Sequence, residues 1–270
     1  MKKLFILLVF ASSFVACKKK TTSPTTTINS TDTTKAFKDT TKNTNSVTCN
    51  ENQNVDFTCK GTPMGKFGEC IKDIDGNVYK TVIIGKQQWM AQNLNTRRFN
   101  DGTNITNVID NKEWYNSSSP NWCFTNNDSV LPNIYNIGKL YSGNVITSTK
   151  NVCPSGWHIP SDSEWDILIN YLGGDLLAAD KLKEISNNVW DNSVNSSNIS
   201  LFTALPGGSR QSAGDFTSIG NYAYFWCFNK SSNVIGNYTI VSVTASTKKY
   251  LYPSASKNIN IGLSVRCIKD

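Results

Sequence analysis

From Lys18 to about Thr48 the chain is Thr, Ser, Asn and Lys with almost no apolar side chain, as in Thr21-Thr22-Ser23-Pro24-Thr25-Thr26-Thr27. Such a stretch cannot bury enough surface to offset the entropy of ordering it, so it reads as a flexible tether. The tract sets the bounds of any fold. Whatever packs must come from the residues after it, about 220 in number, enough for one sizeable core.

Ahead of the tract, Lys2 and Lys3 precede an apolar run, Leu4 to Ala11. The run is far shorter than the ~20 residues a permanent span needs, and it reads as an export signal, residues 1–16, to be set aside from the fold. Phe14-Val15-Ala16-Cys17 resembles a lipobox, with Phe14 in place of the usual Leu. Small Ala16 suits the cleavage pocket, and the Cys17 thiol is the expected attachment point for diacylglycerol. The mature chain would then be held at a membrane through Cys17, since several acyl chains anchor stably where one does not.

Export changes how the other cysteines are read. Cys49, Cys59, Cys70, Cys123, Cys153, Cys227 and Cys267 follow, and in an oxidising compartment they suggest disulfides with one left over. None is spaced as C-x-x-C, and His158 is the single histidine, so a metal site is not expected and no cofactor is called for. The formal charge is +7, but the basic residues are scattered. That pattern argues against nucleic acid as a partner.

Between Cys49 and Cys70 lies a Cys-containing lead-in, and residues 71–270 carry the patterns of a folded domain. Asp75-Gly76 between β-prone flanks predicts a hairpin, because a tight turn there needs positive φ. Val82-Ile83-Ile84 gives a strand and Gly85-Lys86 a second turn. The acidic stretch from Asp73 to Asn77 does not fit a calcium loop, since Ile84 stands where a bidentate acid is needed. Ser161 and Glu164 form a capping box, and Trp165, Leu168, Ile169 and Leu172 make one apolar stripe, ended by Gly173-Gly174. A second helix is expected over 176–183. Tyr238 to Val243 alternates as a strand, and a last short strand is expected over 262–268.

Aromatic residues crowd the loops. Trp114, Tyr115, Trp122, Tyr222 and Trp226 are the candidate ligand-binding residues, as rings beside Asn and Asp side chains that stack on sugars; the opposing expectation is that these rings pack as core. His158, between Trp157 and Ile159, is expected to be a structural hydrogen-bonder.

Five blocks resemble the Fibrobacter succinogenes major paralogous domain, a family frequent in Bacteroidetes lipoproteins. They are Asp75-Gly76-Asn77-Val78-Tyr79, Ile84 to Leu94 (IGKQQWMAQNL), Cys153 to Ser161 (CPSGWHIPS), Leu205 to Arg210 (LPGGSR), and Ser264-Val265-Arg266-Cys267. The chain departs from the family at Trp226-Cys227-Phe228, where a Trp-Ser-Ser-type run is frequent. The order of blocks also looks like the C-type-lectin-like fold shared by the formylglycine-generating enzyme group. The expected fold class is therefore α+β, C-type-lectin-like, with short antiparallel strands, one or two helices and long loops.

That enzyme group's catalytic cysteine pair has no counterpart here, so its chemistry is not carried over. Fold analogy implies a Cys153–Cys267 disulfide, worth roughly 4–5 kcal/mol for so long a loop. Cys49 with Cys59 is a local pair by placement, leaving Cys70, Cys123 and Cys227 for one more bridge and a spare. The triplets at Asp32, Asp39 and Asp128 resemble Bacteroidetes O-glycan acceptors. No catalytic residue is assigned: Asp162 and Glu164 are explained by capping and the helix dipole. The leading expectation is a non-catalytic, lipid-anchored envelope module, on the periplasmic or outer face, that binds a glycan or an envelope protein. A structural envelope protein and a polysaccharide-active enzyme using Asp162, Glu164, Asp166 or Asp215 are the alternatives.

Overall fold

The computed structural model describes residues 59–130, 137–185, 189–191, 196–228, 238–243, 247–252 and 257–270. The export signal, Cys17, the tether and Cys49 lie outside them. The architecture is α+β. One five-stranded sheet runs in the order Gly65–Phe67, Thr81–Ile84, Gln87–Met90, Ile268–Lys269, Trp157–His158, all antiparallel. The lead-in is thus part of the body: Gly65 pairs with Ile84, and Cys59 is buried in the core.

The second sheet follows the path Thr247–Tyr252, Tyr238–Val243, Ala223–Phe228, Gly262–Ser264, Leu140–Ser142, Asn121–Cys123, Thr106–Asn107. It is not purely antiparallel. Phe225 pairs with Ser264, and Thr106 with Asn121, in parallel. Four α-helices stand among the described residues rather than one or two: α1 (Asn111–Asn116), α2 (Gly143–Ile146), α3 (Asp162–Tyr171) and α4 (Asp175–Leu182). α1 and α2 are short, six and four residues, too short to carry a helical periodicity in sequence.

The local chemistry accounts for the elements that position the rest. At the expected hairpin, Ile71–Lys72 pairs with Val78–Tyr79, and Gly76 takes φ 89°. The Asp73 carboxylate closes the turn, accepting from the Asp75 and Asn77 backbone N–H groups at 2.9 Å each and from the Tyr79 hydroxyl at 2.5 Å. α3 begins with the capping box in place, Ser161 accepting from the Glu164 N–H and Glu164 from the Ser161 N–H. Its stripe of Trp165, Leu168, Ile169 and Leu172 is buried against Trp89 and Phe202, with the Trp89 and Trp165 rings 4.9 Å apart.

The C-terminal stretch is two strands, not one. Gly262–Ser264 lies in the larger sheet and Ile268–Lys269 in the smaller, so the chain crosses between sheets at Val265, Arg266 and Cys267. The crossing is pinned twice. Cys267 is bonded to Cys153, with the sulfurs 2.06 Å apart. Arg266 is fully buried; it donates to Asn93 Oδ1 through Nε at 3.0 Å and Nη2 at 2.5 Å, and to the Phe202 and Thr203 carbonyls. Its guanidinium lies over Phe202, 4.3 Å from the ring centroid. Burial works against its charge, and these acceptors and the ring face offset that cost.

Replacing Arg266 by Met should strand the Asn93 amide oxygen and two carbonyls without donors, at a cost of about 3 kcal/mol or more. Urea melts of the oxidised chain would show it as a lower midpoint. Arg266→Lys should recover only part of the loss, because an ammonium cannot reproduce the planar fork.

Candidate functional site

A cavity of about 490 Å³ opens where α3 begins, lined among others by Ile146, Lys150, Asn151, His158, Phe228 and Asp270. Four pieces of chain build it, one of them Asp270. In the strand Trp157–His158, alternation buries Trp157 and turns His158 outward. The strand Ala223–Phe228 ends at Phe228, whose N–H donates to the Pro160 carbonyl at 2.8 Å. Its ring is 41 % exposed. The loop from Ser148 to Asn151 supplies the third wall.

His158 is held between two carboxylates: Nε2 is 2.9 Å from Glu164 Oε1 and Nδ1 is 2.6 Å from Asp270 Oδ1. A neutral imidazole has one N–H, so both contacts are donated together only by the imidazolium. Glu164 is further engaged, its Oε2 accepting from the Ser161 N–H and hydroxyl at 2.7 Å each. Burial would raise this carboxyl, but the Ser161 hydroxyl and N–H and the His158 ring together hold it below the ordinary carboxylate range. Lys150 is placed by Asp101 at 3.0 Å and by the Thr103 hydroxyl at 2.5 Å. The Thr103 N–H, its side chain and Lys150 hold Asp101 down to about 2. Asn151 donates to the Trp157 carbonyl and accepts from the Cys153 N–H.

The cavity therefore presents an aromatic face beside an imidazole, an ammonium and carboxylate oxygens already fixed in place. Among the described residues no group of three or more His, Cys, Asp or Glu side chains is arranged to hold a metal.

Three of the five candidate ligand-binding aromatics are core. Trp226 is fully buried and donates to the Tyr141 carbonyl at 2.7 Å. Trp122 donates to the Ile105 carbonyl at 2.9 Å, under the Lys139 ammonium. Trp114 is sealed beneath Arg210, whose guanidinium carbon lies 4.4 Å from its ring. Rings of this size gain more by burial than by waiting at a surface. Tyr115 remains exposed and Tyr222 half-buried, stacked on Tyr224 at 5.2 Å, but neither lines the cavity. The expected extra bridge among Cys70, Cys123 and Cys227 is also corrected. Cys59 and Cys70 each carry a disulfide, whereas Cys123 and Cys227 are buried thiols, so Cys70 is bridged to neither of them. Burial pushes the Cys123 thiol up to about 12, and Cys227 Sγ lies 3.1 Å from Asp162 Oδ1, next to Phe228 in the chain.

Residue types alone gave no reason to assemble Lys150, Asn151, Phe228 and Asp270, which are far apart in sequence. His158 was the one visible pointer, as the single histidine beside a helix cap.

Fold and cavity together describe an α+β domain with a recessed site that combines polar side chains with an aromatic ring. Residues 82–269 match the model of the Fibrobacter succinogenes major domain, and the chain belongs to that family. No curated protein and no solved structure matches the chain.

Because the Glu164 carboxyl is held low in the fold, it stabilises above the pKa it has in the unfolded chain. That contribution should be lost as pH falls through its folded value. Urea melts of wild type and Glu164→Gln from about pH 7 to about pH 3 should show a gap that closes toward acid. A gap that is constant with pH would show that Glu164 titrates as it does in the unfolded chain.

Proposed function

We propose that the chain is a lipid-anchored envelope protein whose domain binds a saccharide, without catalysis, in the His158 cavity. The observation that carries this reading is the exposed Phe228 ring set beside His158, Lys150 and Asp270 on the wall of one recess. Sugars offer an apolar C–H face to a ring and hydroxyls to fixed donors and acceptors, and such sites combine few polar groups with aromatic surface. The anchoring half of the proposal comes from sequence: the short apolar run, the Ala16-Cys17 junction and the tether. The C-type-lectin-like order of motifs supports the same reading.

A non-catalytic role is the better fit to the side chains present. The Glu164 carboxylate already accepts from Ser161 and His158, and both His158 ring nitrogens are engaged. A general acid or base must come within hydrogen-bond reach of the proton it moves, and here those positions are taken up by carboxylates and Ser161. The membrane is the partner expected through Cys17, and the saccharide is the partner expected in the cavity.

Residues 17–270, expressed under oxidising conditions, should bind selectively on an array of glycans and plant polysaccharides, equally with calcium and with chelator. Phe228→Ala should weaken that binding about tenfold, the loss of roughly 1.4 kcal/mol of stacking, while leaving thermal stability near wild type. A blank array from folded protein would turn the reading toward an envelope protein as ligand.

A further inference from the structure

The cavity occupies one end of α3, and the other end carries an apolar surface it does not use. Ile167 and Tyr171, neighbours one turn apart, are exposed, and the first turn of α4 adds Leu176 and Leu177 at 72 % and 56 % exposure. All four lie on two consecutive helices joined by Leu172, Gly173 and Gly174. Leu177 folds back over Gly173, where an added Cβ would meet its Cδ1 at 3.1 Å, and the Tyr171 ring lies as close over Gly85. Single exposed apolar residues are ordinary, but four at the tip of one helical hairpin form a surface that calls for a partner.

We propose that this patch rests on the phospholipid bilayer to which the chain is tethered, and so turns the cavity away from the membrane. The inference rests on the anchoring of Cys17 proposed above. The position of the tether selects the occupant. Where the described chain begins, Lys60 donates to the Ser197 carbonyl at 2.7 Å, and Ser197 donates in turn to the Asp180 carbonyl of α4 at 2.8 Å. Cys59 packs in the same cluster as Leu172, Ala178, Ala179 and Leu182. The described chain thus begins beside α4, the helix that carries Leu176 and Leu177. About 40 residues separate Cys59 from Cys17, so an anchor there keeps the bilayer at high effective concentration for the body.

α3 itself sets the orientation. Its ten residues make a rod about 15 Å long, with Ser161 in the cavity wall at one end and Tyr171 in the patch at the other. Exposed Asp166 and Asp175 lie on the same two helices, balanced by the Lys181 ammonium, which sits at Gly173 and donates to the Leu172 carbonyl at 2.6 Å, and by Lys86, next to Gly85 in the chain. That balance fits zwitterionic headgroups rather than an anionic surface.

The test holds residues 17–270 by an N-terminal hexahistidine on phosphatidylcholine vesicles doped with a nickel-chelating lipid and a lipid bearing a photoactivatable acyl chain. Cross-linked peptides are then identified by mass spectrometry. Label should concentrate between Ile167 and Leu177 and fall at least about tenfold in the Leu176→Asp, Leu177→Asp variant, whose new carboxylates cannot enter the interface. Both positions are exposed, so an unchanged circular dichroism spectrum will confirm that the variant folds. Label spread over remote exposed residues such as Phe67, or unaffected by the double substitution, overturns the proposal. Intact mass of the chain from native envelopes reports the lipid on Cys17 separately, so failure of the anchor and failure of the patch give different results.

Discussion

Arg266 is the point on which the architecture turns. It sits where the chain crosses from one sheet to the other, and its described hydrogen-bond partners are neutral: the Asn93 amide and the carbonyls of Phe202 and Thr203. A planar five-donor fork is suited to this arrangement, in which loops arrive with carbonyls that no ladder can satisfy. Asn93 extends the network, donating to the Ile137 carbonyl at 2.8 Å and to the Ser264 hydroxyl at 3.2 Å. One buried cation and one buried amide therefore join four segments of the domain, and the adjacent Cys267 ties in a fifth through Cys153.

Arg210 repeats the device beside the same strand of the larger sheet, paired with Gly262. Also fully buried, it donates to the carbonyls of Val108, Ile109 and Gly214 and lies against Trp114 and Phe216. In both places an arginine holds irregular backbone over an aromatic floor. Long loops with few regular hydrogen bonds need such centres, since each buried carbonyl left without a donor costs free energy of its own. This gives a physical reason for two of the sequence blocks that carry the family resemblance. The arginines of LPGGSR and SVRC are interior donors, not surface ligands.

What was legible in the sequence followed from local rules. The Asp75-Gly76 turn, the strand at Val82, the Ser161–Glu164 box and the stripe of α3 each depend on neighbours within one turn or one hairpin, and each stands where the pattern put it. The α4 boundaries differ by one residue at each end. Long-range consequences were not legible. Burial of Trp114 is decided by Arg210, nearly a hundred positions away, and burial of Trp226 by the Tyr141 carbonyl. The split of the last strand follows from the crossing at Arg266, which no periodicity encodes. The cavity was invisible for the same reason: Phe228, Lys150 and Asp270 meet only because two sheets end beside α3.

The same helix connects the cavity proposed as a binding site and the proposed stance of the domain. Its N-terminal cap is shared with the cavity, because Glu164 both closes the capping box and accepts from His158. Its buried stripe joins the core around Trp89, so the cap cannot shift without disturbing that packing. A site placed at the end of such a helix inherits the rigidity of the core, and its side chains are pre-positioned before any ligand arrives. Pre-positioning of this kind lowers the ordering cost of binding. It is of least use to a group that must move a proton, since His158 would have to break contact with Asp270 or Glu164 to do so. On the reading proposed above, the geometry that pre-positions the cavity for a ligand is the geometry that already takes up the hydrogen-bonding positions of His158 and Glu164.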